Sequence, residues 1–359
     1  MPSGEPRLLL RAIQNLKIHG VDVIYVEKNL CVLNKASGVI SQLKKSANSS
    51  STEDHGLNPI VRLLNEHLPR PQNWSALHRL DRTTTGCLAF GTLGTTSFVR
   101  FSEQFATRQI GKEYLALVRT DQSQLVTKAI REGHHDEETK LRSSWLQDST
   151  GRPRFTHSSV EGAKPAEATW RVIAHSAASP VALLKMRLLT GRKHQLRLHA
   201  AEDLHVPILG DQRYTPQTFP QLPLSLPEDR VYLHASTIGL KRFVTLPPTP
   251  QFPKRKAART TIRLTAPLPH DFVHQCSRLG IQVPRASITG RAQWNWDAKG
   301  SGLDLGADSD ASLADDGRRQ PLLDGQTTDS SNIERQPGWR NSQMFEIPAL
   351  GGTFFPRGN

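Results

Sequence analysis

The densest knot of reactive side chains is His78-Arg79-Leu80-Asp81-Arg82, followed by three threonines and Gly86. A carboxylate set between two guanidiniums stays ionised with a lowered pKa, and a charged carboxylate fixed in a polar turn suits a nucleophile or a base. The same arrangement also serves as a surface ion pair or a loop cap, so the residues elsewhere must decide. A second cluster, "TGRKHQLRLH" (190–199), places Arg192, Lys193 and His194 near a helix start. There, free N–H groups and cationic side chains can meet a phosphate, or can form a solvated face. His78, His199 and His234 lack the spacing of a metal site, and there is no HExxH or cysteine pair, so no metal is expected. Glycoside hydrolysis normally needs two cooperating carboxylates, and no second motif-borne acid stands out.

The elements that must position these groups follow from periodicity. Val23–Glu27 and Leu30–Asn34 read as two strands around a Lys-Asn turn. Residues 43–57 are polar and serine-rich, as a surface loop would be, and Ile60–Leu68 has helical spacing. Asp81 precedes an apolar strand, Cys87–Gly91, and Phe98, Phe101 and Phe105 then recur at helical spacing over 95–108. In "GKEYLALVR" (111–119), Tyr114, Ala116 and Val118 alternate as in a strand. Residues 120–165 are charged and poor in apolar side chains, which predicts a long excursion of hairpin or loop character. Strands are expected at Val181–Leu189, Val231–Leu240 and Thr261–Thr265, with helices over 190–205 and near 270–279. Strands in this number with helices between them indicate an α/β (α+β) fold.

Charge points to the partner. Residues 285–359 hold eight basic and ten acidic side chains, which leaves residues 1–284 with 38 basic against 23 acidic, a net +15. A polyanion is the natural partner of such a surface. Three widely spaced cysteines give neither a zinc pattern nor a disulfide framework. No run of eighteen apolar residues is present, so no membrane span is expected. The first twenty residues carry Arg7, Arg11, Lys17 and His19 with apolar side chains at helical spacing, which suits an N-terminal extension or an organellar targeting helix. Beyond residue 284 neither period persists, and the composition predicts a disordered tail over 285–359.

Taken together, "NKASG" (34–38), "HRLDRTTTG" (78–86), "KEYLALV" (112–118), "TGRKHQLRLH" (190–199), "HVPILGDQRY" (205–214) and "LHA" (233–235) resemble, in order, the motifs of the RluA-type RNA pseudouridine synthases. The resemblance spans about residues 21–275. It implies a mixed, largely antiparallel sheet flanked by helices, with a catalytic domain over 21–284. It also implies an isomerase that converts chosen uridines of rRNA or tRNA to pseudouridine, acting as a monomer without cofactor or metal. On this likeness Asp81 is the catalytic aspartate. Tyr114 stacks on the target base, a contact worth roughly 1–3 kcal/mol. Arg197 pairs with Asp81 as a buried bidentate partner. Arg79, Arg82, Arg192 and His194 meet the substrate, and Leu233 lines the uracil pocket. An RNA-binding or ribosome-assembly protein of the same fold without turnover is the alternative.

The chain departs from the family pattern at Ala36, where proline is common, at Thr85, where serine is common, and in its tail. No S4-type RNA-binding domain fits before the first strand, so target selection is expected to come from the catalytic domain. A mitochondrial location follows if the N-terminal helix is a targeting signal, and a cytoplasmic or nuclear one if it is not.

Overall fold

The computed structural model describes residues 22–27, 29–41, 60–62, 65, 73–133, 138–156, 160–219, 226–246, 256–296, 345–347 and 352–354. The expected N-terminal helix and the polar loop at 43–57 lie outside these residues, as does most of the tail.

The strands are β1 (Asp22–Glu27), β2 (Leu30–Lys35), β3 (Trp74–Ala76), β4 (Thr85–Thr92), β5 (Gly111–Arg119), β6 (Thr139–Gln147), β7 (Pro153–Thr156), β8 (Lys164–His175), β9 (Val181–Leu188), β10 (Leu233–Leu246), β11 (Lys256–Thr265), β12 (Arg291–Trp296), β13 (Phe345–Ile347) and β14 (Gly352–Phe354). They join one sheet in the order β13-β14-β1-β2-β4-β10-β5-β9-β8-β6-β7, with β3 added to β4 and with β11 and β12 branching from β10. Its pairings are antiparallel except at β4 and β10, which run parallel through Thr85 and Gly86 against His234 and Ala235. The helices are α1 (Thr96–Ala106), α2 (Gln124–Arg131), α3 (Gln195–Leu198), α4 (His270–Arg278) and α5 (Arg285–Thr289). A π-helical turn, His199–Asp203, continues α3. No described helix is long and apolar enough to cross a membrane.

The period of two along each strand sorts side chains between the faces. On β5, Tyr114, Ala116 and Val118 enter one core with Leu184 and Met186 of β9 and Leu196 of α3. Leu115 and Leu117 point the other way and pack with Leu183, Tyr232 and Phe272 under α4. Phe101 of α1 joins Cys87 and Ala89 on that second face. The alternation read from "GKEYLALVR" therefore puts Tyr114 on the same face as Leu80, one residue before Asp81.

One expectation narrows and another changes. The charged excursion is ordered: after α2, β6 pairs with β7 as a hairpin and with β8 over seven positions. A few buried side chains, Leu141, Trp145, Pro153 and Phe155, anchor its strands, so the hairpin alternative of the composition is the one that forms. The boundary at 284 also falls short, because Arg285–Thr289 is helical and Arg291–Trp296 pairs with β11 from Thr260 to Thr265. A six-residue edge strand that takes its hydrogen bonds from a longer neighbour leaves little periodic signal of its own.

Candidate active site

Asp81 occupies the turn before β4, and that turn is tied down from below by the segment after β2. Lys35, 1% exposed, donates through its ammonium to the carbonyls of Ala36 at 2.8 Å, Val39 at 2.9 Å and Arg82 at 3.0 Å. The N–H of Gly38 donates to the same Arg82 carbonyl at 2.9 Å, and Ser37 Oγ donates to Thr83 O at 3.2 Å. Ser41 Oγ donates to Leu80 O at 2.7 Å and accepts from Leu80 N at 3.1 Å. Burial draws Lys35 down to about 7, the Asp81 charge opposes that pull, and three carbonyl acceptors match the three N–H bonds of an ammonium. "NKASG" is thus the mount of the aspartate turn. Within the turn, Thr84 N donates to Asp81 O at 3.1 Å. The turn feeds into the parallel pair, where Gly86 (φ +109°) lies so close to β10 that a Cβ would meet Ala235 O at 2.2 Å. Only glycine fits there.

Asp81 opens into a cleft of ≈ 430 Å³ whose walls include Tyr114, Arg197, His194 and Leu233. Asp81, Tyr114 and Arg197 thus share one cavity. Arg79 and Arg192 line it too, whereas Arg82 does not. Arg82 turns to the surface and pairs with Asp229 at 2.6 Å, both side chains half-exposed or more. Of the two guanidiniums that flank the carboxylate in sequence, only Arg79 stays in the cleft.

Arg197 is buried as expected, but its bidentate partner is another acid. Its Nε and Nη2 donate to the two oxygens of Asp211, each at 2.7 Å, and Asp211 is 1% exposed. Nη1 lies 3.7 Å from Asp81 Oδ2, an ion pair without a direct hydrogen bond. Burial works to lower the Arg197 pKa, and the hydrogen bonds and charge of Asp211, with the charge of Asp81, more than reverse it, so it rises. Asp211 was in view in "HVPILGDQRY". A lone acid 14 residues from Arg197 carries no periodic link to it, so sequence does not mark the pair. Gly210 before it (φ +78°) has no room for a Cβ, which would meet Arg230 O at 1.9 Å.

His194 stands on the other side of Asp81, its Nε2 3.8 Å from Oδ1 and its Nδ1 2.7 Å from Tyr214 Oη. Burial draws its pKa down to about 4 against the pull of Asp81, so it is neutral at pH 7. Tyr214, missed by the sequence reading, also lies under the Arg197 guanidinium, 5.1 Å from its ring centre. The helix of this region starts at Gln195 instead of Thr190 because the first residues make a turn. Gln195 Oε1 accepts from Thr190 Oγ1 at 2.8 Å and from Arg192 N at 2.9 Å, and its Nε2 donates to Glu167 O at 2.9 Å. His194 closes that turn with left-handed backbone, φ 56°.

Tyr114 is 7% exposed, and burial, with the Asp81 charge, raises its phenol pKa, so it stays neutral. Its ring and Leu233, 3% exposed, give the cleft an apolar wall beside the carboxylate. His78 also lines the cleft but is structural. Its Nε2 accepts from Ala89 N at 3.1 Å, its ring stacks on Phe105 at 4.9 Å, and burial holds it neutral with a pKa of about 3. A flat apolar wall, one carboxylate and a rim of arginines can hold a planar polar ring attached to a phosphate-bearing chain.

A family model described as RNA pseudouridylate synthase matches residues 29–202. The human mitochondrial pseudouridylate synthase RPUSD4 is 26% identical over 284 residues, 73% of this chain and 70% of the relative. Its Xenopus tropicalis counterpart is 33% identical over 232 residues, 58% and 65% of the two chains. The dual-specificity RNA pseudouridine synthase RluA of Pasteurella multocida is 29% identical over 232 residues, 63% and 89%. Among solved structures, human RNA pseudouridylate synthase domain containing 4 superposes with a TM-score of 0.52 at 21% identity, covering 78% of this chain and 99% of that one, a likeness of fold.

Proposed function

We propose that the chain, which matches the RNA pseudouridylate synthase model over residues 29–202 and is similar to RluA-type synthases, is an isomerase of uridine in RNA with Asp81 as its catalytic carboxylate. The observation that carries the proposal is the convergence of Asp81, Tyr114, Arg197 and Leu233 on one cleft, from segments separated by as many as 152 positions in the chain. A stacked uridine must leave its helix before its glycosidic bond can be reached, at a cost of a few kcal/mol, roughly what base stacking and phosphate contacts return. Tyr114 and Leu233 receive the uracil ring, and Asp81 engages the sugar–base linkage. The C1′–N1 bond breaks, the base turns within the cleft, and a C1′–C5 bond forms as C5 loses a proton and N1 gains one. Atoms and charge balance within the nucleotide, so no further reactant enters. Arg197, held by Asp211, orients Asp81 through charge at 3.7 Å and leaves its oxygens free for the substrate.

The RNA, on this reading, is ribosomal or transfer RNA, and the chain works as a monomer, which size-exclusion chromatography with light scattering would test. The mitochondrial names of the RPUSD4 relatives support a mitochondrial location, which a fluorescent fusion imaged in cells would test. The decisive assay compares wild type and Asp81→Ala for pseudouridine formed in an RNA transcript. Product from wild type alone is expected, and equal product from both would end the proposal. RNA binding without product from wild type would favour a non-catalytic binding protein.

A further inference from the structure

The cleft that holds Asp81 is also lined by a group of cations, one of which, Arg192, donates through Nε to Pro165 O at 3.1 Å. The group includes Arg108, Lys112 and Arg192, and Asp81 is the sole acid among the lining residues. The Asp81 charge acts on Tyr114, His194 and Arg197. The pKa values of Lys112 and Arg192 are both lowered, first by burial and then by the charge of Arg108. Among the described residues neither Arg108 nor Lys112 makes an ion pair. Lys112 reaches across to the 190–192 turn, where a Cβ on Gly191 would lie 3.4 Å from its ammonium.

Arg108 sits there at a conformational cost. It follows the C-cap of α1 in left-handed backbone, φ 59°, with Gln109 N donating to Gln104 O at 2.9 Å. That is the helix-ending position where glycine is favoured because it has no Cβ. An arginine in this strained site, exposed and beside two further cations, has no counterpart in packing that would explain it. Three like charges repel one another until an anion arrives.

We infer that Arg108, Lys112 and Arg192 form the seat of a phosphodiester group of the RNA strand, next to the uridine that meets Asp81. This rests on the isomerase reading for the identity of the anion. A base edge is the weaker candidate, because it carries no full charge to offset three cations. Seating the phosphate fixes the strand while the base turns.

The test uses Arg108→Gly, which removes the guanidinium and relieves the left-handed strain, so its melting temperature should equal or exceed that of wild type. Binding of a fluorescein-labelled stem–loop RNA with unpaired uridines is titrated against salt. Loss of one phosphate contact should lower the slope of log K against log salt by about 0.7 and weaken binding about tenfold near physiological salt. Arg108→Lys should keep the slope, and Lys128→Ala, an exposed cation on α2, should leave both quantities unchanged. Wild-type affinity and slope in Arg108→Gly would overturn the seat, as would a slope lost equally in Arg108→Lys. Pseudouridine formation by wild type is read in parallel. If wild type makes none while Arg108→Gly still flattens the slope, the isomerase reading falls and the phosphate seat stands.

Discussion

Replacing Asp211 with asparagine tests the division of labour around Arg197. Both oxygens of Asp211 receive guanidinium hydrogen bonds at 2.7 Å, and the two side chains are 9% and 1% exposed. Asparagine keeps the volume and one acceptor, but it loses the charge and presents an NH2 donor to an N–H. Removing one partner of a buried pair costs about 3–5 kcal/mol, and because one hydrogen bond survives we expect about 2–3 kcal/mol. A domain with about 5–15 kcal/mol of stability stays folded under that loss. The effect on the chemistry comes from what Arg197 does next. Asp81 Oδ2 lies 3.7 Å from Nη1, a separation at which two unit charges attract by about 4 kcal/mol at an effective dielectric of about 20. With Asp211 neutral, the guanidinium closes on Asp81 and occupies an oxygen needed at the sugar. A cost of about 2.7 kcal/mol at the barrier would slow the reaction about 100-fold. Urea denaturation followed by tryptophan fluorescence gives the stability, and single-turnover conversion of uridine in a transcript, with enzyme in excess, gives the rate. A variant turning over within about threefold of wild type, or losing no more activity than its unfolded fraction explains, would refute the reasoning.

Three further outcomes are expected. Tyr114→Phe keeps the flat ring and should retain the single-turnover rate within about fivefold, whereas Tyr114→Ala should lose about 10-fold or more in RNA affinity, seen by fluorescence anisotropy. Lys35→Met leaves the carbonyls of Ala36, Val39 and Arg82 without their shared donor. It should cost about 2–4 kcal/mol in urea unfolding, and proteolytic cutting near the aspartate turn should accelerate. His194 has its pKa drawn down to about 4 in the folded chain, against about 6.5 unfolded. The unfolded state therefore binds more protons between these values, and the contribution of His194 to stability is lost as pH falls from about 6.5 to about 4. Asparagine tolerates the left-handed backbone at this position, so His194→Asn should flatten the dependence of the urea midpoint on pH over that window, and an unchanged slope would count against a buried neutral imidazole.

How far these features were legible depended on whether a residue's partner was close in sequence. Tyr114 declared its face because strand alternation is local, and Asp81 was conspicuous within its own turn. The helix of the phenylalanines at 98, 101 and 105 came from spacing alone and spans Thr96–Ala106. The partner of Arg197 was misread because a bidentate pair depends on which acid the π-helical turn and the Gly210 bend deliver, and neither leaves a periodic trace. Lys35 read as one letter of a motif, and its service to three carbonyls appears only when the turn at 36–41 folds beneath residues 80–83. Arg108 gave no signal, since a strained backbone angle is a property of coordinates. The segment at 139–156 read as hairpin or loop, and composition alone does not decide between them because its strands gain burial at only a few positions.

The short parallel join of β4 to β10 ties positions 85 and 86 to positions 234 and 235. During synthesis the carboxylate leaves the ribosome about 150 residues before the strand that completes its apolar wall, in a time of roughly 10–30 s at ordinary translation rates. Arg197 and Asp211 follow the carboxylate in the chain and Leu233 comes after both, so until β10 is made the aspartate turn lacks part of its chamber. The cleft beside Asp81 is therefore closed by a strand that is made well after the turn that carries the carboxylate.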